Sequence, residues 1–307
     1  MTVCIAASCE SGKRVVAATD GRLSFAGIAA DAMLGKMLWK VTPQDEWLFL
    51  FAGEPSNTKA IFEEMYWAAD GASLTRENIQ KITLEGYQRR WAKFSSFAAL
   101  APYDMDLAKF KAEGRAQLGE QECTRISRQI AERAVYFEEQ LLVIGWGKSE
   151  YAAMLYEVSP DGDRDHALAG IAAIGTGAEV AASTLLLLGQ TKDSTLAETL
   201  YCVAAAKFAA EKSQGDDVGK QHTAMCITRK RTPEDKGKNI VAEHVPEDGI
   251  AILREVWERY GRPRIPMNEG WNAIAGVVKK LGFEAGVSPW RINEIRQLAA
   301  RMSEPGR

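Results

Sequence analysis

The first twenty residues constrain the fold more than any other stretch, because they read as a β-hairpin that starts where the sequence starts. One apolar run extends from Val3 to Ala7 and a second from Arg14 to Ala18, with a turn at Glu10-Ser11-Gly12 between them. Two short apolar runs around a glycine-containing turn are typical of a hairpin. We therefore expect Thr2 to lie in a sheet or at its edge, and not in a frayed tail.

The position of Thr2 directly after Met1 suggests a chemical role. A threonine hydroxyl is a weak nucleophile until a base takes its proton. Removal of Met1 would give Thr2 a free α-amine, which titrates at about 7.7–8.0 and can act as that base. A nearby lysine would favour the ionised hydroxyl, and a carboxylate would hold that lysine charged. Asp20 closes the second apolar run, and Lys36 follows sixteen residues later.

This arrangement resembles the opening of proteasome β subunits and of the bacterial HslV peptidase, which are N-terminal-nucleophile (Ntn) hydrolases. The matching residues are Thr2, Asp20-Gly21-Arg22, Lys36-Met37 with Val41, and Phe51-Ala52-Gly53. The resemblance implies Thr2 as nucleophile, Asp20 and Lys36 as its support and the Gly53 N–H as oxyanion donor; a simple strand-ending turn is the alternative for Gly53. The Asp-to-Lys spacing matches the family, and the Thr-to-Asp spacing is about two residues longer. Lys40, which precedes Val41, is an alternative that the spacing disfavours.

A second block extends the resemblance. A strand pair with a turn at Ser159-Pro160-Asp161-Gly162 precedes Gly175-Thr176-Gly177, where the family has Gly-Ser-Gly at the start of a helix. The resemblance implies that Thr176 and an aspartate, Asp217 or its neighbour Asp216, belong to the hydrogen-bond network around the terminal amine. Gly219 stands where the family has a serine. That departure puts the efficiency of the site in question, but not the fold.

The resemblance also implies a substrate pocket and an assembly. By family position, Leu23, Leu34 and Leu38 would line the pocket and favour an apolar side chain before the cleaved bond. Family members form rings that enclose their active sites, which implies a homo-oligomer acting on peptide or protein substrates. An unfoldase partner would fit the same pattern, although no residue gives evidence for one.

The order of predicted elements favours an α+β fold. After the hairpin come a strand over 47–52, helices from 58 and over 75–97 and 122–138, strands over 140–146, 152–158 and 169–174, helices over 178–188 and 194–212, and a closing hairpin over 222–228 and 239–244. Helices on both sides of two packed antiparallel sheets form the αββα four-layer sandwich of proteasome-like Ntn hydrolases. We expect this domain over residues 1–246.

Two stretches lie outside that pattern. Residues 98–121 read as an insertion that forms surface, with a pocket lid or a ring contact as alternatives. Residues 247–307 read as a small helical C-terminal extension with helices over 250–260, 271–281 and 289–302. The stretch 282–295 looks like a helix-turn-helix, but residues 251–307 carry ten Lys/Arg against six Asp/Glu. The resulting charge of about +4 is too small to predict a DNA-reading helix.

Composition narrows the class of protein. The 307 residues are 46% hydrophobic and 26% charged, which is ordinary for a globular protein, and the net charge of −3 disfavours nucleic-acid or membrane binding. No apolar run approaches the roughly 18 residues of a membrane span, and no signal peptide opens the sequence. Five cysteines without CxxC spacing predict reduced thiols and a cytoplasmic protein. Three scattered histidines predict no metal site, and we expect no cofactor.

Three functions follow from these patterns. The first is a threonine peptidase or amidase that acts through Thr2 after removal of Met1. The second is a catalytically inactive subunit of the same fold that serves as a scaffold, which Gly219 and Thr176 would favour. The third is a nucleic-acid-binding regulator that uses the C-terminal helices, which the overall charge disfavours.

Overall fold

A computed structural model describes residues 2–25, 28–31, 36–41, 46–69, 75–147, 151–213, 223–235, 241–260 and 269–282. The strands are β1 (Cys4–Cys9), β2 (Arg14–Asp20), β3 (Arg22–Phe25), β4 (Ile28–Asp31), β5 (Met37–Val41), β6 (Glu46–Ala52), β7 (Gln140–Gly145), β8 (Met154–Ser159), β9 (Gly162–Asp165), β10 (Ile171–Ile174), β11 (Thr223–Arg229) and β12 (Glu243–His244). The helices are α1 (Pro55–Ala68), α2 (Arg76–Leu100), α3 (Leu107–Leu118), α4 (Glu120–Ala134), α5 (Ala178–Leu187), α6 (Leu196–Ser213), α7 (Glu247–Tyr260) and α8 (Glu269–Lys280).

Two five-stranded antiparallel sheets form the centre of the molecule. The first has the strand order β10-β1-β2-β11-β12, and the second has the order β5-β6-β7-β8-β9. Strands β3 and β4 form a separate hairpin. The predicted opening hairpin is confirmed, with Cys4 opposite Thr19 and Cys9 opposite Arg14. Because β10 pairs with the other edge of β1, the first strand of the chain lies inside the sheet.

The apolar strands are buried on both faces, and this produces four layers. In β1, Cys4 and Ala6 face the second sheet, whereas Ile5 and Ala7 pack against α5 and α6. The same alternation in β6 directs Leu48 toward the first sheet and the aromatic residues toward α1 and α2. Strands with two buried faces read as continuous apolar runs, which is how these strands appear in the sequence. The layers run helices, sheet, sheet, helices, and the predicted αββα sandwich is confirmed.

Helix α6 lies deepest in its layer. Every residue from Leu196 to Glu211 is buried. Its alanine-rich sequence explains this packing, because small side chains let a helix approach the strands beneath it closely. The helix was predicted over 194–212, and its observed span agrees.

The segment predicted as an insertion is helical. It comprises the end of α2, a 3₁₀ turn at Ala101–Tyr103 and α3. Leu100, Phe110, Ile126 and Ile130 form a small core among α2, α3 and α4, separate from the sandwich. The three alternatives for its role, namely surface, lid and ring contact, stay predictions.

Helices α7 and α8 pack on the first helical layer. Leu253 and Val256 of α7, together with Ile274 and Val277 of α8, belong to the same apolar cluster as β1, β2 and α6. The predicted domain boundary at residue 246 stays a prediction. These two helices share a core with the sandwich, so the boundary does not separate two apolar cores. The helix predicted over 289–302 and most of the predicted helix-turn-helix lie outside the described residues.

Candidate active site

The site forms where strand ends of the first sheet meet. Strand β1 starts at Cys4, and its two antiparallel neighbours end beside it, β2 at Asp20 and β10 at Ile174. Thr2 precedes β1 and therefore emerges between these two ends. The alternation and pairing of the strands thus bring Thr2 and Asp20 together across the hairpin.

The second sheet supplies the opposite wall. Lys36 directly precedes β5, Gly53 directly follows β6, and Gln140 begins β7 opposite Ala52. The Phe51 N–H donates to the Lys36 carbonyl at 3.1 Å, which ties the entry of β5 to the end of β6. The Lys36 side chain thereby extends from the second sheet to Thr2, which precedes β1 of the first sheet.

Lys36 bridges the threonine and the aspartate. Its Nζ donates to Thr2 Oγ1 and also to Asp20 Oδ1, the latter at 3.0 Å. Asp20 Oδ1 accepts a second hydrogen bond, from the Val3 N–H at 3.0 Å. The Asp20 side chain is fully buried and that of Lys36 is 8% exposed. Bulk water therefore screens this pair weakly, which strengthens the electrostatic interaction of the ammonium with the Thr2 hydroxyl.

A glycine-rich turn holds the backbone of Thr2. The Gly177 N–H donates to the Thr2 carbonyl at 3.2 Å. Gly175 has φ +89°, and a Cβ at this position would lie 2.2 Å from the Thr2 carbonyl oxygen, so both the conformation and the contact require glycine. The Gly175 N–H donates in turn to Gln140 Oε1 at 2.5 Å. Gln140 therefore positions the turn that positions Thr2.

Thr2 opens into a cleft of about 510 Å³. Gly53 and Thr176 lie on its exposed rim, and Glu54, Glu139 and Asp161 contribute carboxyl groups to its lining. Gly53 has φ +130° and packs against Glu139, whose Cα would lie 3.0 Å from a Cβ at Gly53. A glycine is required at this position on both grounds.

Glu139 is a member of the site that sequence reasoning missed. It is 2% exposed, and its Oε1 accepts from Asn57 Nδ2 at 2.5 Å. Arg90 donates to the Oδ1 of the same Asn57 at 2.5 and 3.0 Å, so the cation reaches the carboxyl only through the amide. Burial raises the pKa of Glu139. The signal available in the sequence was the Glu138-Glu139-Gln140 run at the start of a predicted strand.

Two other groups, Cys4 and Lys40, are excluded as alternatives to Thr2 and to Lys36, respectively. Cys4 lies next to the site, but burial raises the pKa of its thiol far above the usual range, so it is not a competing nucleophile. Lys40, the alternative to Lys36, donates to the Tyr66 carbonyl at 3.3 Å and lies 3.5 Å from the Tyr66 ring centroid. It faces α1, whereas Lys36 contacts Thr2.

Several predicted residues have no described side-chain position. Leu34, Asp216, Asp217 and Gly219 lie outside the described residues, and only the backbone of Leu23 is described, in β3. Leu38 is half-buried against the layer of α1 and α2 and does not line the cleft. Of the predicted site residues, the structure brings together Thr2, Asp20, Lys36, Gly53 and Thr176.

Among the described residues there is neither a metal-binding cluster nor a membrane-spanning helix. No group of three or more His, Cys, Asp or Glu side chains there is arranged to hold a metal ion. No described helix is long and apolar enough to span a membrane.

Solved structures share this architecture at low sequence identity. Anbu from Hyphomicrobium sp. strain MC1, in a Gly-1 mutant, superposes with a TM-score of 0.57 at 13% identity, covering 84% of this chain and 94% of that one. The Anbu complex from Pseudomonas aeruginosa, a helical assembly, gives 0.55 at 17% identity, covering 87% and 100%. Anbu from Yersinia bercovieri, described as an ancestral β-subunit, gives 0.51 at 15% identity, covering 94% and 100%. No protein-family model and no curated protein matches the chain. The fold is therefore proteasome-like.

Proposed function

We propose that the chain is an N-terminal threonine hydrolase, a peptidase or amidase, that acts through Thr2 after removal of Met1. The observation that carries this proposal is the bridge that Lys36 forms between Thr2 Oγ1 and the buried Asp20. A buried ammonium donating to a threonine hydroxyl favours the ionised form of that hydroxyl. An activated nucleophile with a free amine on the same residue suffices for acyl transfer.

The reaction proceeds in two steps. The Thr2 hydroxyl attacks the substrate carbonyl, its proton passes to the Thr2 amine, and the amine delivers it to the leaving nitrogen as the C–N bond breaks. An ester on Thr2 results. Water then attacks the ester with the same amine as base, which releases the acid and restores the hydroxyl.

Three further residues support the reaction. The Gly53 N–H receives the oxyanion, since a glycine allows the substrate to approach the backbone closely. Thr176 on the rim and Asp217 hold the terminal amine. An apolar pocket that includes Leu23 and Leu34 belongs to the same proposal, without Leu38, which packs toward α1 and α2.

We also propose that the protein works as a cytoplasmic homo-oligomer on peptide or protein substrates. The structural neighbour from Pseudomonas aeruginosa is a helical assembly, which supports self-association. Leu186 and Leu187 at the end of α5 are 65% and 79% exposed, and burial against another copy would remove this apolar surface from water.

An inactive scaffold is the second candidate, and Gly219 favours it. A serine at that position completes the amine network in the resembling family. Without it, the amine of Thr2 has one fewer partner to orient it.

A panel of internally quenched peptides separates the two candidates. An active site predicts turnover that Thr2→Ala abolishes and that Thr2→Ser retains in part, because serine keeps the hydroxyl and the amine. Turnover equal in wild type and Thr2→Ala would contradict the proposal. If the protein forms oligomers but neither wild type nor any variant cleaves a peptide, the scaffold function is favoured over the hydrolase.

A further inference from the structure

The lining of the cleft is predominantly acidic. Among its described residues are four acidic side chains and a single basic one, namely Glu54, Glu138, Glu139, Asp161 and Lys36. Lys36 is already bound to Asp20 and Thr2. A substrate segment that enters this cleft therefore meets carboxyl groups without a free cation among the described residues.

Two of these carboxylates are exposed and come from different elements. Glu138 precedes β7, and Asp161 lies in the turn between β8 and β9. Within the described part of the chain, no Lys or Arg side chain forms an ion pair with either of them. Their charges are therefore available to a ligand.

Glu139 adds an independent observation. Its Oε2 is buried and has no hydrogen-bond partner among the described residues, although its Oε1 accepts from Asn57. A buried acceptor without a donor is costly, because it has lost its hydrogen bonds to water and gained none in the protein. A donor brought by a ligand would relieve that cost, because Glu139 lines the cleft.

An aromatic ring completes the rim. Tyr136 lines the cleft and is 74% exposed. The face of a tyrosine ring attracts an ammonium or guanidinium group. Exposed carboxylates, a buried acceptor and an aromatic face are three features of this lining that favour a cationic side chain.

We propose that the cleft selects polypeptide segments that carry a lysine or arginine side chain next to the bond held at Thr2. This inference rests on the proposed function for its reaction, but the recognition itself is a binding property. It concerns the described lining of this cleft, to which Leu38 does not belong.

Binding of labelled peptides to the Thr2→Ala protein tests the inference without turnover. Three fluorescein-labelled peptides, identical except for one position occupied by Lys, Gln or Glu, are titrated in 50 mM salt and followed by anisotropy, with the variable position moved along the peptide. We expect the Lys peptide to bind at least about tenfold more tightly than its Gln twin at one position, and this ratio to shrink in 500 mM salt through charge screening. Equal affinities of the Lys and Gln peptides at every position would overturn the inference.

A charge-matched pair of variants locates the effect. Glu138→Gln combined with Asp161→Asn removes two charges from the cleft, and Glu113→Gln combined with Glu120→Gln removes two exposed charges from α3 and α4. The first pair should reduce the Lys-to-Gln ratio to below about threefold, and the second should leave it unchanged. A ratio that falls equally in both pairs would assign the effect to overall charge and overturn the inference.

Failure of the proposed function is recognisable separately. If the quenched peptides are cleaved without preference for Lys and the labelled peptides bind equally, the proposed preference for cationic segments is wrong, whereas the proposed hydrolase function stands. Preferential binding of the Lys peptide without cleavage would keep the recognition and remove the hydrolase.

Discussion

At the residue scale, the proposed activation of Thr2 depends on one lysine, Lys36. Lys36 and Lys40 both satisfied the local sequence pattern, and the structure separates them, because Lys36 contacts Thr2 whereas Lys40 contacts Tyr66. The resemblance to a family with the same Asp-to-Lys spacing predicted Asp20 and Lys36, and the structure brings Lys36 into contact with both Thr2 and Asp20.

Lys36→Ala should lower kcat/KM by about 10²-fold or more, a loss of the size seen for a single transition-state donor. It also removes the ammonium group that pairs with the buried Asp20, which should cost about 3 kcal/mol of unfolding free energy. Lys40→Ala is the matched control and should retain most activity. Steady-state kinetics and denaturant unfolding of both variants check this; greater loss of activity in Lys40→Ala would reverse the assignment.

Gly175 should tolerate no side chain. Gly175→Ala would place a Cβ at 2.2 Å from the Thr2 carbonyl oxygen, displace Thr2 and lower kcat/KM at least tenfold. Gly189→Ala shares a positive φ, +72°, but its Cβ would meet no atom within 4 Å. The positive φ alone should cost each variant about 1 kcal/mol of stability. The clash adds to that cost in Gly175→Ala only, and only Gly175→Ala should affect turnover. Equal activities would indicate that the turn does not position Thr2.

Glu139 should make stability depend on pH. Burial raises its pKa in the folded protein, so folding favours the protonated carboxyl. Its stabilising protonated form is present below the ordinary pKa of about 4.3 and is lost as the pH rises through the higher folded value. Glu139→Gln stays neutral, and its Tm relative to wild type should therefore be higher at pH 7 than at pH 4. A difference that does not change with pH would contradict the assignment.

Two residues that reach the site from a distant segment were not predicted. Gln140 and Glu139 lie more than a hundred residues from Thr2 in sequence, and their proximity follows from the pairing of β7 with the end of β6. Nothing in their local sequence fixes that pairing. Asn57, which donates to the Glu139 carboxyl, was not predicted as a site residue.

At the element scale, long apolar strands were predictable and short polar ones were not. Strands β1, β2, β6 and β7 are buried on both faces and read directly from the sequence. Strand β9 is short, and all four of its residues are exposed, so it carries no apolar pattern. Its position depends on the turn at Ser159-Pro160-Asp161-Gly162, which was predicted.

Helix α7 should contribute to the stability of the sandwich. Leu253 is fully buried in the cluster with α6, so Leu253→Ala should cost about 2–5 kcal/mol of unfolding free energy. Glu255→Ala, on an exposed position of the same helix, should cost less than about 0.5 kcal/mol. Chemical denaturation of both variants measures this. An unchanged stability in Leu253→Ala would mean that the C-terminal extension is separable from the sandwich.

A buried charge cluster also fastens α7 to α6. Glu211 accepts from Arg254 at 2.8 and 3.2 Å and pairs with the fully buried Lys207. Paired charges of this kind specify one docking geometry more than they add stability. The predicted extension thus has polar as well as apolar contacts with the sandwich.

At the scale of the whole molecule, the fold could be predicted even though its solved relatives are only 13–17% identical. The sandwich requires buried strands in a given order and glycines at defined turns, and many apolar sequences satisfy that requirement. The proposed catalytic site requires specific residue types at fixed spacing, which is why the N-terminal hairpin showed a resemblance to a known family. The assembly and the partners depend on surfaces, which carry no comparable pattern.

The intact mass of the purified protein, before and after treatment with a β-lactone that acylates nucleophilic hydroxyls, tests the central claim most directly. We expect loss of Met1 and a single adduct that maps to Thr2. We expect no adduct in Thr2→Ala and strongly slowed labelling in Lys36→Ala. Retention of Met1 with no adduct, or an adduct on another residue, would contradict the claim that Thr2 is the nucleophile.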